Sequence, residues 1–327
     1  MNLQIPDVRI LEIHPCHEPH QQLPTSSCLE ERNDLGIPLL LRAVRDASEL
    51  GYNFMSVGGA EPLSYPSLAA LCREAHRHGM LTSAVTRSAR LTAPQLEWLR
   101  FSIDLLGVEV TGRSIASRRR GAKTGQTLEN RLECIRQSRI PFAIVLPLTA
   151  SSLADLEWAA EYAASQDAAI LQVRPSRDLS DDQMATAWMM VECLSELQRG
   201  KLVIHFDAVN RYNLPTEPED LASWMRDLER EARYLGEVLS PLVVEGDGTV
   251  SPLRHGFPRR FALGNLNQEP ISEMATRWIE MQSAVFCDVY GEVLRQARTA
   301  DRMFGDLYHM LSVAAEGPAI GISASGR

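Results

Sequence analysis

Short apolar runs alternate with longer stretches whose apolar residues recur every three or four positions, and the pattern holds over the first two thirds of the chain. The run "VRILEI" predicts a first strand. Leu39 to Leu50, "LLLRAVRDASEL", sets its apolar residues on one helical face and ends at Gly51, a residue suited to the position just past a helix. "YNFMSVGG" then reads as a buried strand feeding a glycine turn. The unit recurs as helix "SLAALCREAHRHG", strand "LTSAV", helix "TAPQLEWLRF", strand "LLGVEV", helix "TLENRLECIRQS", strand "FAIVLPL", helix "LADLEWAAEYAASQ" and strand "AAILQVRP". A helix from Asp181 to Gln198 and a strand "KLVIHFD" continue it. Ser67, Thr92, Thr127 and Ser152 are placed to cap helix starts. Strands alternating with amphipathic helices predict an α/β fold, a parallel sheet covered by helices and closed or partly closed as a barrel.

Beyond Asp207 the rhythm changes. Proline-containing "RYNLPTEPED" reads as a linker, "DLASWMRDLEREARYLGEV" as a long charged helix, and "PLVVEGDGTVSPL" as two β-prone runs about a Gly-Asp-Gly turn, a hairpin signal. The expected division is residues 1–209 for the barrel and 210–327 for a small α+β extension carrying the hairpin.

Composition narrows the function classes. The 327 residues are 45% hydrophobic and 23% charged, the usage of an ordinary globular protein. A net charge of -9 repels a phosphate backbone, so no nucleic acid partner is expected. The basic run "RRRGAK" reads as a solvated loop or a single anion site. No window approaches the ~20 apolar residues of a membrane span, and Asp7 and Arg9 interrupt any signal sequence, so a cytoplasmic protein without a membrane partner is expected. Six scattered cysteines show no pairing rhythm.

In a parallel barrel the loops after the strands' carboxyl ends form the site. The turn "SVGGAEPLSYP" is the most specific of these, because adjacent glycines let backbone approach a ligand closely. A plain strand-to-helix turn is its bland alternative. Glu61, Glu109 and Asp207 are candidate acid/base groups, since carboxylates converging at strand tips can have perturbed pKa values. Arg174 and His205 sit beside them, and His76 and His78 read as helix-end cations. "HPCHEPHQQLPTSSC" after the first strand offers His14, Cys16, His17, His20 and Cys28 as a metal set, but the spacing H-x-C-H-x2-H matches no zinc module, and a polar loop is the favoured reading.

The stretch "SVGGAEPLSYPSLAALCREAHRHGMLTSAVTRSARL" resembles the second and third βα units of radical S-adenosylmethionine (radical SAM) enzymes, whose Gly-Gly-Glu-Pro loop binds the methionyl amino group. "LEIHP" and "ELGYNFMSVGG" resemble the family's first two strands. "PLVVEGDGTVSPLRHGFPRRFALGNLNQEPISEM" is similar to the SPASM/twitch auxiliary domain of peptide-modifying members, so the resemblance runs from Val8 to Trp278. It implies a partial parallel TIM-like barrel and a cofactor cradle of Gly58, Gly59, Ala60, Glu61 and Pro62, with Arg118 in the place of a carboxylate-binding arginine.

The departures redirect that reading. The family holds a four-iron cluster on C-x3-C-x2-C after the first strand, and the resemblance puts those positions on Pro19, Leu23 and Ser26, none of which ligates iron well. Leu253 follows Pro252 where the auxiliary hairpin has a cluster cysteine. Ser88-Ala89 and Glu109-Val110-Thr111-Gly112 replace an Asn-Gly and a Ser-x-Asp-Gly of the cofactor site. An iron-sulfur cluster is therefore not expected, and S-adenosylmethionine would be held by backbone dipoles and Arg118 alone. The expected role is a cluster-free partner or substrate-recognition subunit in natural-product or peptide modification, working with a full radical SAM enzyme or on a peptide or small-molecule substrate. Two rivals stand beside it: a non-radical transferase or lyase using Glu61, Glu109 and Asp207, and a metalloenzyme using His14, Cys16, His17 and His20.

Overall fold

The computed structural model describes residues 8–15, 35–59, 61–87, 91–110, 123–176, 178–210, 223, 226–227, 231–299 and 304–316. Seven strands run parallel in chain order: β1 (Ile10–Ile13), β2 (Phe54–Val57), β3 (Leu81–Thr86), β4 (Leu105–Glu109), β5 (Phe142–Leu148), β6 (Ile170–Pro175) and β7 (Val203–Phe206). Each is joined to the next through a helix: Ile37–Glu49, Leu68–Arg77, Ala93–Leu99, Lys123–Ser138, Leu156–Ser165 and Asp181–Leu197. A short β8 (Val209–Asn210) follows. The chain then returns to the opposite edge, where β9 (Leu242–Val244) lies parallel to β1 and turns back antiparallel as β10 (Thr249–Pro252) and β11 (Gly264–Asn265). The result is one ten-stranded sheet, β11-β10-β9-β1-β2-β3-β4-β5-β6-β7, open between β7 and β11. The fold is the expected mixed α/β partial barrel, and the C-terminal hairpin is continuous with its sheet.

Helices Ile271–Met281 and Ser283–Thr299 follow the hairpin, and β12 (Phe304–Gly305) pairs with β8 before the helix Leu307–Glu316. Trp278, Phe261 and Phe286 bury their rings here, with Trp278 Nε1 donating to the Phe261 carbonyl at 3.0 Å. Among the described residues no helix is long and apolar enough to cross a membrane.

Side chains of successive strand residues point to opposite faces, and the register carries each face across the sheet. On one face Leu11, Ile13, Met55, Val57, Leu106, Val108, Ile144, Leu146, Leu171 and Val173 are buried in one core with helix residues such as Leu40, Leu71, Leu132 and Ala160. The opposite parity carries Glu12, His14, Ser56, Ser83, Glu109, Gln172, Arg174 and His205. Burying a large aliphatic side chain contributes about 1.5–3 kcal/mol, which fixes the orientation of every strand and leaves the polar set on the inner face.

Two local expectations are corrected. The long charged helix expected up to Val238 is not continuous: Glu231 is extended, Ala232–Tyr234 form a single 3-10 turn, and only Leu235–Val238 are α-helical. Tertiary contact overrides the helical pattern here, because Gly236 packs against Gly51 and Arg9, Arg9 pairs with Glu237 at 3.1 Å, and the Gly236 N–H donates to the Leu50 carbonyl. Thr127 lies inside the helix Lys123–Ser138 instead of capping it.

Candidate functional site

The inner face is polar because its residues have each other as partners. His14 Nε2 stands 2.7 Å from Glu12 Oε1, and Ser83 Oγ donates to Ser56 Oγ at 3.3 Å. Arg174 donates to Gln172 Oε1 at 3.2 Å and faces Asp207 at 3.8 Å. Loss of hydration works to raise the Glu12 carboxyl, but the His14 hydrogen bond and the charges of His14, Arg174 and His255 hold it below its ordinary value. Glu12 is thus a carboxylate at neutral pH. Tyr308, partly exposed, stands near this region: loss of hydration, aided by the charges of Asp207, Asp306 and Glu12, pushes its hydroxyl up to about 12.

The glycine turn after β2 sits directly on this cluster. A Cβ on Gly58 would lie 3.0 Å from Glu12 Oε1 and 3.1 Å from His14 Nε2, so a side chain there would force the pair to move. Gly59 has φ +98°, a conformation L side chains rarely adopt. Glu61 locks the turn to β3: Oε1 accepts from Leu63 N–H at 3.2 Å and Thr86 Oγ1 at 2.8 Å, and Oε2 accepts from Arg87 N–H at 3.0 Å. Pro62 follows, buried, at the start of a 3-10 turn.

Arg131, on the helix Lys123–Ser138, is the arginine the structure brings toward this turn. Its Nε and Nη2 are buried without a hydrogen-bond partner. Loss of hydration pulls the guanidinium below its ordinary value, and the nearby charge of Glu61 only partly offsets that. It remains ionised, since an arginine does not lose its proton in a protein.

The sequence-derived acids do not converge as bare groups. Glu61 is engaged as described, Glu109 is paired with Arg87 at 3.1 Å, and Asp207, just past β7, faces Arg174 of the neighbouring β6. His76, in the last turn of its helix as expected, pairs with Asp104 at 2.8 Å. Cys16, His17, Pro19, His20, Leu23, Ser26, Cys28, Ala60 and Arg118 lie outside the described residues. Leu253, in the hairpin, is buried. Cys72 and Cys287 are buried with thiols pushed up to about 12, chiefly by loss of hydration, so neither is a ready thiolate. Among the described residues no group of three or more His, Cys, Asp or Glu is placed to hold a metal.

Sequence reasoning missed Glu12, Arg131 and His255. Glu12 carried a signal in the alternation of "ILEIH", where one charged residue faces away from two apolar ones. Arg131 and His255 carried none, because only the fold places them near the turn and near His14.

No family model matches the chain, and no curated protein is similar to it in sequence. Solved structures do share its fold. Streptococcus suis SuiB bound to precursor peptide SuiA superposes with a TM-score of 0.59 at 12% identity, covering 84% of this chain and 65% of SuiB. SuiB bound to S-adenosylmethionine gives 0.55 at 12% identity over 75% of this chain and 60% of that one. Histidine-tagged anSMEcpe with bound AdoMet gives 0.57 at 14% identity, covering 94% of this chain and 95% of that one. The chain spans less than two thirds of SuiB and nearly all of anSMEcpe. These neighbours are radical SAM enzymes, and the open partial barrel described above is their fold.

Proposed function

We propose that this chain is a cluster-free protein of the radical SAM fold that retains a reduced cradle for S-adenosylmethionine and serves as a partner or substrate-recognition subunit in peptide or natural-product modification. Arg131 carries the cofactor part of the reading. A half-buried guanidinium whose Nε and Nη2 are buried without a partner is costly, roughly 1–3 kcal/mol or more for a charged group left unpaired, and a carboxylate satisfies those two nitrogens in bidentate fashion. The methionyl carboxylate fits that need, and the Gly58-Gly59 backbone offers dipoles for the amine. S-adenosylmethionine would supply a sulfonium centre with its transferable groups. The chain's own residues bind and orient it: Glu61 holds the turn, Arg131 takes the carboxylate, and the inner face from Glu12 to Arg174 meets whatever polar group lies beyond.

The cluster-free part rests on Pro19, Leu23 and Ser26 at the positions of the missing thiolates. The peptide part rests on SuiB, a neighbour in fold that is seen bound to a precursor peptide.

Calorimetry with S-adenosylmethionine tests the cradle. Binding is expected for the intact chain, and Arg131→Ala is expected to weaken it by about tenfold to a hundredfold, the value of a charge-assisted pair of ~1.5–3 kcal/mol. No heat at millimolar ligand, or equal affinity in the variant, contradicts the reading.

A further inference from the structure

His14 is a buried histidine, 8% exposed, at the carboxyl end of β1. Its Nε2 lies against the Glu12 carboxylate at 2.7 Å, and an ionised carboxylate only accepts, so Nε2 carries a proton and Nδ1 is the ring nitrogen left for a further ligand. That Nδ1 is buried and has no hydrogen-bond partner. It lies beside Gly59, where a Cβ would be in van der Waals contact with it at 3.8 Å, so the missing side chain leaves Nδ1 uncovered on that side. The exposed His255, from the loop between β10 and β11, brings its ring centroid to 4.9 Å from that of His14 with the planes at 32°. Two imidazoles that share an ion at ~2.1 Å place their centroids about 5 Å apart at angles near 100°, a spacing that a tilted ring contact also has, so the pair is near enough for a common cation once the exposed His255 ring turns a nitrogen toward Nδ1. A carboxylate behind a histidine, fixing its tautomer and sharpening its free nitrogen, is the outer-shell arrangement of histidine metal sites.

We propose that His14 and His255 are the protein ligands of a mononuclear site for a late first-row divalent cation of the zinc type. Glu12 orients His14 from behind, and water or a substrate carboxylate fills the open positions. Two imidazoles select this class over calcium or magnesium, which take oxygen ligands. The nearby Arg174 opposes a cation, but it is faced by Asp207 at 3.8 Å, and the Glu12 carboxylate offsets the remainder. The site does not rest on the S-adenosylmethionine reading, and either can fail while the other stands.

The test is a Co2+ titration of the full chain with its cysteines kept reduced, followed by visible d–d absorption and by Zn2+ competition. One equivalent of Co2+ is expected. His255→Ala, at an exposed side chain that leaves the core intact, should weaken binding at least tenfold, and Glu12→Gln by about 10–100-fold, the usual effect of losing an outer-shell carboxylate. His14→Ala should abolish it, with circular dichroism confirming that the variant is folded. No binding by the intact chain overturns the proposal. So does unchanged stoichiometry and affinity in His255→Ala, or an intense sulfur-to-cobalt band showing that the ion sits on cysteine.

Discussion

At the scale of single residues, Glu61 is the clearest case of a group whose type was legible and whose work was not. The sequence shows an acid after two glycines, and that pattern suits a ligand contact, an acid/base group or a plain turn equally well. The structure shows its two oxygens accepting from Leu63, Thr86 and Arg87. Glu61→Ala should therefore cost about 2–4 kcal/mol, the loss of charge-assisted hydrogen bonds from a partly buried carboxylate, seen as a lowered denaturation midpoint. Glu61→Gln should cost less, since its oxygen still accepts on one side while its amide faces the Arg87 N–H donor. Equal midpoints for all three proteins would show that the brace contributes nothing. Arg131 could not be found this way, because in "TLENRLECIRQS" it reads as one more polar position on a helix. Its significance lies in buried nitrogens without partners, a property of packing and not of residue type.

At the scale of elements, strands and most helices were readable because two periodicities, two and about 3.6, are imposed by burial of one face. Phe142–Leu148 matches its apolar run end to end, and the helix Leu68–Arg77 lies within its amphipathic pattern. The stretch ending at Val238 failed for the opposite reason: its periodicity is helical, but contacts from Arg9, Leu50 and Gly51 decide its path. The hairpin β9–β10 was signalled by Gly-Asp-Gly, yet what pins it was not. Glu245, 3% exposed, accepts from Ser251 Oγ at 2.7 Å and Gly256 N–H at 3.0 Å and pairs with Arg259 at 2.8 Å. A buried carboxylate network thus fastens the hairpin. Glu245→Ala leaves those donors stranded and should destabilise the chain by about 3 kcal/mol, read from chemical denaturation. A change under half of that would mean that the hairpin is held by its sheet pairing alone.

At the scale of the whole molecule, the alternation of strands and helices was enough to predict the parallel sheet, but not that β9 would join β1 and make the C-terminal hairpin part of it. That pairing is long-range, and no local pattern encodes it. It has a functional consequence: His255, carried between β10 and β11, reaches His14 at the end of β1, so the two parts of the chain build one inner face. Under the proposed function this face belongs to a barrel of the radical SAM fold that holds no cluster. Anaerobic reconstitution with iron and sulfide, read as acid-labile sulfide per chain, tests that most directly, because an ion held by histidines alone brings no sulfide. A colourless protein with no labile sulfide is the expected result; stoichiometric sulfide with a broad visible charge-transfer band would contradict it.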